Sequence, residues 1–346
     1  MVFLMFYLCA NKVIWQFDQT EIFRDLDATQ VAVAPNGSVY LADTDQGQIL
    51  QVSPPGVLIQ KIGRKGNGPG EFNHLYQIFF DRQRLYAYDY QQDRLSVFKP
   101  GGTFIEAIRV PKRRVRLLKI PQGWLIGDWQ KVGGPEDPGL LFRAGEAMEN
   151  PVEILRLPGP FYHGGLRVNR TAPGKAFFTP FSAKPQMRLS QDRKFAYVAG
   201  AHQFVIYVIA TGDGRLVRTL KREVNSVPMD RDWVDTEMAA VKRDLGGKIE
   251  AKVTANTPDR FPAIRNFWAL PNGHLAIELW RGKPDSQHLL VGLSAKGETI
   301  GNLPAWHDLN TFKQSFAGRR YHLVRLPGRD AFSLIVKDDV APGPLE

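Results

Sequence analysis

The sequence predicts an all-β protein, a six-bladed β-propeller with four-stranded antiparallel blades and a short helical insertion near residues 230–245. Three observations favour this fold class: a hairpin pattern that occurs six times, a second turn and strand after four of these hairpins, and a composition rich in turn residues. The 346 residues include 32 glycines and 24 prolines, as expected for a chain with many turns between short strands.

The repeated unit is a short apolar strand, a tight turn and a second apolar strand. It spans residues 30–43, 76–89, 115–128, 187–200, 265–279 and 321–336. Turns rich in Gly or Pro, each followed by another apolar strand, begin at residues 53, 99, 210 and 294. One four-stranded sheet cannot cover both of its faces, so we expect the units to stack radially, which also protects their edges. Six units therefore predict six blades.

Two long gaps between the hairpins indicate insertions. Residues 161–186 are an irregular stretch rich in Gly and Pro, whereas residues 230–245 have the spacing of an amphipathic helix. Asp230 is the predicted N-cap, and Met229 with Val234 forms the predicted hydrophobic staple. The last blade runs short of strands, so we expect residues 12–26 to supply its outer strand and to close the ring.

The domain prediction is a single propeller over residues 12–340, preceded by a short apolar segment. We interpret residues 1–11 as the remnant of an export signal, with a buried first strand as the alternative. This interpretation predicts an extracytoplasmic location, either periplasmic or secreted. Cys9 is the only cysteine, which excludes an intrachain disulfide and a thiol redox pair.

Residues 62–72, IGRKGNGPGEF, contain four glycines and two cations but do not predict a phosphate-binding loop. No Lys-Ser or Lys-Thr pair and no helix pattern follows the glycines. The stretch resembles the GxGxGPGEF signature of NHL-type propeller repeats, and residues 35–53 resemble the body of such a repeat. The resemblance implies a bacterial six-bladed propeller of the NHL-repeat type, many of which are exported. It also implies that Phe72 packs beneath the crossing between two blades.

The net charge of +10 favours contact with anionic partners. An anionic polysaccharide, a lipid surface or an acidic protein would satisfy it, and a plain solvated surface is the simplest explanation. Residues 109–119, RVPKRRVRLLK, hold six cations in eleven positions. We interpret them as a solvated rim or, alternatively, as an anion-binding edge. The stretch has no aromatic residues that would stack on bases, which disfavours nucleic acid as a partner.

The loops between the second and third strands of each blade, with the crossings between blades, are expected to form the ligand-binding face. Asp43, Asp89 and Asp128 recur there at one repeat position, where an aspartate often only binds turn amides. The histidines show no metal-binding spacing, although His163, His202 and His307 fall on separate loops. No metal site and no cofactor is therefore predicted. The candidate ligand-binding residues are Arg64, Lys65, Asp89, Tyr90, Asp128, Trp129, Lys131, His163, His202, Trp280, Arg281 and Lys283.

The predicted function is binding of a ligand or partner on the loop face over the central channel, without catalysis. The alternative is a metal-dependent propeller hydrolase or lyase, similar to a lactonase. The fold class does not distinguish these two functions, because the chemistry is determined by the site. Several Asp, Asn, Glu or His side chains converging on one point would favour the enzyme, whereas an opening lined by aromatic and cationic residues would favour binding.

Overall fold

The structure is a computed structural model that describes residues 13–19, 30–129, 138–159, 161–162, 164–168, 175–200, 202–245, 252–270, 273–283, 289–302, 312–316, 319–325 and 332–338. Within these residues the secondary structure consists almost entirely of short β-strands, with one α-helix, α1 (Arg231–Leu245). No helix in this part of the chain is long and apolar enough to cross a membrane.

The strands, numbered in chain order, are β1 (Val13–Gln19), β2 (Val31–Val33), β3 (Val39–Asp43), β4 (Gln48–Ser53), β5 (Val57–Ile62), β6 (Leu75–Asp81), β7 (Arg84–Asp89), β8 (Arg94–Phe98), β9 (Phe104–Arg109), β10 (Arg116–Ile120), β11 (Gly123–Asp128), β12 (Gly139–Ala144), β13 (Val152–Leu157), β14 (Gly165–Val168), β15 (Lys175–Thr179), β16 (Gln186–Leu189), β17 (Phe195–Gly200), β18 (Val205–Ala210), β19 (Leu216–Lys221), β20 (Lys252–Ala255), β21 (Ile264–Ala269), β22 (Leu275–Leu279), β23 (Leu289–Leu293), β24 (Thr299–Asn302), β25 (Phe312–Phe316), β26 (Arg319–Arg325) and β27 (Phe332–Asp338).

Six four-stranded sheets account for most of these strands. Their strand orders are β2-β3-β4-β5, β6-β7-β8-β9, β10-β11-β12-β13, β16-β17-β18-β19, β21-β22-β23-β24 and β1-β27-β26-β25. Each of the six predicted hairpins coincides with two neighbouring strands of one sheet, and α1 coincides with the predicted helix. The predicted fold class, a six-bladed β-propeller with four-stranded blades and one helical insertion, is confirmed.

The chain divides into two compact units. The N-terminal unit contains Met1–Lys119, Ala144–Pro151 and Trp306–Glu346, and the C-terminal unit contains Ile120–Arg143 and Val152–Ala305. Each unit is built from its own buried apolar clusters. In both units the central strands of the sheets are buried, as in β3 and β22, where every residue is buried.

In the N-terminal unit, β1 pairs with β27, the last strand that the structure describes. Its register places Gln16 opposite Ile335 in an antiparallel pair, at the edge of the sheet that lies opposite β25. Phe17 of β1 and Leu334 of β27 are buried in the same apolar cluster as Leu41 of β3. Strand β1 thus provides the outer strand expected from residues 12–26, while closure of a ring by this strand stays a prediction.

Phe72 lies under the glycine-rich crossing between β5 and β6. Its ring is fully buried in a cluster that includes Ile62 and Phe98. Gly63 has a φ of 81°, and a Cβ at this position would collide with the Phe72 ring. Only glycine permits this backbone conformation together with so close an approach. The crossing is therefore shaped by packing rather than by contact with a phosphate.

In the C-terminal unit, α1 begins as the sequence predicts. The Asp230 carboxylate accepts a hydrogen bond of 2.9 Å from the backbone N–H of Trp233, which makes it the N-cap. Met229 and Val234 are buried in one cluster with Phe181, Phe261 and Trp280. The apolar side of the helix therefore packs within an aromatic core.

A three-stranded sheet in the same unit departs from the sequence prediction. Residues 161–186 were interpreted as irregular, but β14 and β15 form an antiparallel pair and β20 adds to β15 in parallel. The aromatic residues of β15 favour a strand, and its Ala176 pairs with Val253 of β20. Because β20 is distant in the chain, a local pattern could not reveal this sheet.

Candidate functional site

Asp43 and Asp89, two of the aspartates that recur at the ends of second strands, bind groups of their own turns. The carboxylate of Asp43 accepts hydrogen bonds of 3.0 Å from the backbone N–H of Gln46 and from the side-chain amide of Gln48. Burial of Asp43 raises the pKa of its carboxyl, an effect that these two hydrogen bonds oppose. Its oxygens are therefore occupied within the turn.

Asp89 orders the start of the neighbouring strand in addition to its own turn. Its Oδ2 accepts hydrogen bonds from the backbone N–H groups of Asn73 at 2.6 Å and His74 at 3.0 Å. Its Oδ1 accepts a hydrogen bond of 2.8 Å from the backbone N–H of Gln91. Asp89 has a relative exposure of 1% and fixes the backbone at Asn73 and His74 through these hydrogen bonds.

The two cations of the crossing loop bind groups of the loop or of the segments beside it. Arg64 is 81% exposed at its side chain, and its Nε lies 2.7 Å from the Glu71 carboxylate. The ammonium of Lys65 donates hydrogen bonds to the backbone carbonyls of Thr44 at 3.2 Å and Asn73 at 2.8 Å. Both predicted residues thus lie in the expected loop, and both tie it together.

A different arrangement surrounds Tyr90, and we call it the arginine platform: His74, Tyr76, Tyr90, Arg114 and Arg116. The guanidinium carbon of Arg114 lies 4.6 Å from the centre of the Tyr90 ring, and that of Arg116 lies 4.5 Å from the Tyr76 ring. The two tyrosine rings meet edge to face at 5.6 Å, and the His74 ring meets Tyr90 at 4.6 Å. Each guanidinium therefore rests on an aromatic ring, and the two rings touch each other.

The backbone around the two arginines is fixed by contacts with the second blade. The side-chain amide of Gln77 donates to the Leu117 carbonyl at 2.7 Å and accepts from the Leu117 N–H at 3.0 Å. Val115, between the two arginines, is fully buried. Arg114 itself has a φ of 53°, a conformation that few non-glycine residues adopt. The arginines are thus held over the tyrosines by an ordered segment.

The arginines of this segment differ in whether a carboxylate of the chain compensates their charge. Arg113 lies 3.2 Å from the carboxylate of Asp93. Within the described ranges, no carboxylate forms an ion pair with Arg114 or Arg116, whose contacts are with the tyrosines. A cation on an aromatic ring is attracted by the ring quadrupole but keeps its full charge. The platform therefore carries two positive charges that the neighbouring side chains do not neutralise.

His74 responds to this electrostatic environment. Its pKa is lowered mainly by burial; Asp89 raises it, whereas Lys65 and Arg114 lower it further. This lowering of the pKa favours the uncharged imidazole at neutral pH. The positive charge of the platform at that pH comes from the two arginines.

His74, Tyr76, Arg114 and Arg116 were not predicted as site residues from the sequence. Residues 109–119 were interpreted as a solvated rim, with an anion-binding edge as the alternative, and the stretch itself contains no aromatic residue. Those partners lie in the preceding blade, and Tyr90 is 24 residues from Arg114 in the chain. The available signal was the combination of a cationic segment with tyrosines at the start and the end of the preceding hairpin.

In the C-terminal unit, the structure describes two of the candidate residues near the end of β11, Asp128 and Trp129. Asp128 is half-buried at the end of β11. Trp129 is 2% exposed, and its indole lies so close to Gly127 that a Cβ there would collide with it. The indole of Trp129 therefore serves as a core side chain. Lys131 and His163 lie outside the described residues.

His202, Trp280, Arg281 and Lys283 also belong to this unit. His202 is half-buried, which lowers the pKa of its imidazole. Trp280 is 6% exposed and stacks on Phe261, with 5.4 Å between the ring centres. Arg281 and Lys283 are exposed. No group of three or more His, Cys, Asp or Glu side chains suited to a metal ion occurs among the residues that the structure describes.

Comparison with protein families gives a fold assignment. The model of the DUF5128 family, described as a 6-bladed beta-propeller, matches residues 28–135. This match covers less than half of the chain and includes the whole arginine platform. No curated protein matches the chain.

Solved structures support the same fold. A candidate exported protein from Bacteroides fragilis superposes with a TM-score of 0.52 at 12% identity, over 95% of this chain and 96% of that chain. A member of the duf4221 family from Bacteroides vulgatus gives the same TM-score and identity, over 95% of this chain and 98% of that chain. A gluconolactonase from Xanthomonas campestris has a TM-score of 0.44 at 13% identity, over 94% of this chain and 87% of that chain. A fold does not determine an activity, so the function must be argued from the site.

Proposed function

We propose that this protein is a noncatalytic binding propeller of the extracytoplasmic space and that the arginine platform binds an acidic polysaccharide. The observation that supports this proposal is the contrast among neighbouring cations. Arg64 and Arg113 hold carboxylates of the chain, whereas Arg114 and Arg116 lie on tyrosine rings. Their charges are thus available to an external anion.

The chemistry of the platform suits carboxylate or sulfate groups. A guanidinium presents N–H donors in a planar fork that matches such anions. Contact with a tyrosine ring restricts each arginine before a ligand arrives, which reduces the conformational entropy lost on binding. Because the two rings are 5.6 Å apart, one ligand chain with repeated negative groups can contact both arginines.

Two other partners fit the platform less well. Nucleic acids without sequence preference bind by stacking bases on open aromatic faces, and here the guanidiniums cover the tyrosine faces. A lipid surface requires charges distributed over a broad area, whereas the nearby cations Arg64, Lys65 and Arg113 bind groups of the chain. The extracytoplasmic location is part of the proposal and rests on the likeness to a candidate exported protein together with the apolar start of the sequence.

The test compares two double variants with the same loss of charge. Arg114→Gln with Arg116→Gln removes the platform cations, whereas Arg64→Gln with Arg113→Gln removes cations that are already paired. Polygalacturonate is the acidic probe, and dextran of similar size is the neutral probe. We expect the platform variant to lose at least about ten-fold in affinity for polygalacturonate, since each charged hydrogen bond contributes about 1.5–3 kcal/mol. The control should lose less than about three-fold, and added salt should weaken wild-type binding.

Equal losses in the two double variants would show that net charge alone attracts the polymer. Binding to phosphatidylglycerol vesicles but not to polygalacturonate would replace the polysaccharide with a lipid surface. The alternative of a propeller hydrolase or lyase is tested on the same preparation. A stoichiometric bound metal, together with hydrolysis of a lactone, would overturn the noncatalytic assignment.

A further inference from the structure

His74 is the member of the arginine platform whose charge changes between weakly acidic and neutral pH. Its imidazole meets the Tyr90 ring edge to face, with 4.6 Å between the ring centres. The guanidinium carbon of Arg114 lies 4.6 Å from the centre of the same Tyr90 ring. An anion that contacts Arg114 is therefore also close to the imidazole of His74.

The backbone of His74 is fixed, whereas its imidazole has no hydrogen-bond partner among the described residues. The backbone N–H donates to Asp89 Oδ2 at 3.0 Å, and the N–H of Asn73 donates to the same oxygen at 2.6 Å. His74 is half-buried rather than enclosed. Both ring nitrogens of a protonated imidazole are donors, so the charged side chain can donate a hydrogen bond to a bound carboxylate.

Charged groups of four segments surround this imidazole. They are Asp45 in the turn between β3 and β4, Lys65 in the crossing between β5 and β6, Asp89 at the end of β7, and Arg114 before β10. Burial has the largest effect and lowers the pKa of His74. The two carboxylates raise this pKa, whereas the two cations lower it. Without a ligand, the balance favours the uncharged imidazole at neutral pH.

A bound anion changes this balance. Its negative charge lies beside Arg114 and offsets the repulsion between Arg114 and a protonated His74. The complex therefore holds a proton on His74 more firmly than the free protein does. A site that gains a proton when its ligand binds has a higher affinity at lower pH. The gain begins as the pH falls through the pKa of His74 in the complex, and it is complete below the pKa in the free protein, which is lower than the ordinary value of about 6.5.

We propose that His74 is a third cationic contact of the arginine platform below neutral pH and that its protonation strengthens binding of the acidic polysaccharide. This inference rests on the proposed function, because it concerns the same site and the same ligand. Arg114 and Arg116 provide charge at every pH, and His74 adds a contribution that depends on pH. The protein therefore holds its ligand more tightly in a mildly acidic medium than in a neutral one.

Binding of polygalacturonate at pH 7.5 and at pH 5.5, at constant ionic strength, tests the proposal on the full chain. Carboxyl groups with ordinary pKa values of about 4 stay ionised over this range, so the charge of the polymer is almost constant. We expect the affinity of the wild type to be about three-fold to ten-fold higher at pH 5.5, because a charged hydrogen bond is gained.

Two variants of His74 and a matched control assign the pH dependence. His74→Gln carries no charge at either pH, and His74→Arg carries a charge at both. In each variant the affinities at the two pH values should agree within about two-fold, because the side chain that titrates in this range is gone. His74→Arg should bind more tightly than His74→Gln at pH 7.5. The control is His274→Gln, which removes another half-buried imidazole in the C-terminal unit and should keep the pH dependence of the wild type.

Equal wild-type affinities at the two pH values would overturn this inference and leave the proposed function intact. A pH dependence in His74→Gln as large as that of the wild type would assign the effect to another group and would also overturn it. Absence of binding at both pH values would overturn the proposed function and this inference together. If His74→Gln does not fold, His74→Arg answers the same question, because a permanent charge also removes the pH dependence.

Discussion

Arginine side chains lie on aromatic rings in both units, but their charges are compensated differently. In the N-terminal unit, Arg116 lies 4.5 Å from the Tyr76 ring and has no carboxylate partner among the described residues. In the C-terminal unit, Arg265 lies 5.3 Å from the Trp280 ring, and its Nη1 is 2.6 Å from the Glu278 carboxylate. The aromatic contact therefore does not identify a binding site by itself. The presence or absence of an internal carboxylate separates a structural arginine from one that is available to a ligand.

The largest expected effect is on the internally compensated pair. Arg265→Gln leaves the Glu278 carboxylate, which is 3% exposed at its side chain, without an opposite charge. Removing one partner of a buried ion pair costs about 3 kcal/mol, so we expect a decrease of that order in the free energy of unfolding at pH 7. Urea denaturation measures it. The matched variant Arg116→Gln should lose less than about 1 kcal/mol, because a half-exposed cation on a ring contributes little to stability.

The loss of folding free energy in Arg265→Gln should depend on pH. Burial raises the pKa of Glu278, and Arg265 opposes this shift; without Arg265 the pKa should rise further. A carboxyl whose pKa is higher in the folded state contributes stability below its unfolded pKa, about 4.3, and loses that contribution as the pH rises through the folded value. The decrease in the free energy of unfolding caused by Arg265→Gln, relative to wild type, should therefore be smallest near pH 4. The added substitution Glu278→Gln should remove the pH dependence of this decrease. A deficit that is constant from pH 4 to pH 7 would show that lost packing, rather than charge, is responsible.

A smaller effect is expected when the rings of the arginine platform are removed and its arginines are kept. Tyr76→Leu and Tyr90→Leu should each weaken polygalacturonate binding by roughly three-fold to ten-fold, because the guanidiniums lose a contact that contributes about 0.5–1 kcal/mol as well as their fixed position. Tyr90→Phe keeps the ring and removes only a long hydrogen bond of 3.4 Å from Arg114. Its affinity should match that of wild type. If the leucine variants also bind normally, the rings have no part in recognition.

The smallest effect concerns His74. Lys65 and Arg114 add to the lowering of its pKa by burial, so an anion bound at the platform should screen Arg114 and raise this pKa. Titration of the His74 imidazole by NMR, with and without polygalacturonate, measures the change, and His74→Gln assigns the signal. The imidazole of His202, whose pKa is lowered by burial alone, serves as the reference and should not move. A shift of equal size at both histidines would point to a general effect of the polymer.

The fold could be predicted because its information is local. Each blade contains a hairpin whose strands and turn are adjacent in the sequence, and Asp230 marks the start of α1 by its own side chain. The sheet of β14, β15 and β20 was missed because the parallel pairing of Ala176 with Val253 joins distant segments. A sequence pattern over a few residues does not indicate which distant strand pairs with them.

The candidate site was predictable in chemistry but not in position. Arg64 and Lys65 were predicted as ligand-binding residues; they lie in the expected loop but bind Glu71 and backbone carbonyls. The cations of residues 109–119 were visible in the sequence, but the rings that support Arg114 and Arg116 were not. Whether a cation is free depends on which side chains surround it in three dimensions, and residue spacing within one segment does not report that.

The pairing of β1 with β27 has a consequence for biosynthesis. A ribosome releases the chain from its N-terminal end, so β1 emerges long before the strand that it must pair with. The sheets of β2–β5 and β6–β9 need only neighbouring residues and can form during translation, whereas the sheet of β1, β25, β26 and β27 must wait until residues more than 300 positions after β1 have been made. Long-range pairing of this kind is slow and leaves strand edges exposed in the meantime. This sheet is therefore the part of the molecule where a nascent chain is most exposed to aggregation and most dependent on chaperones.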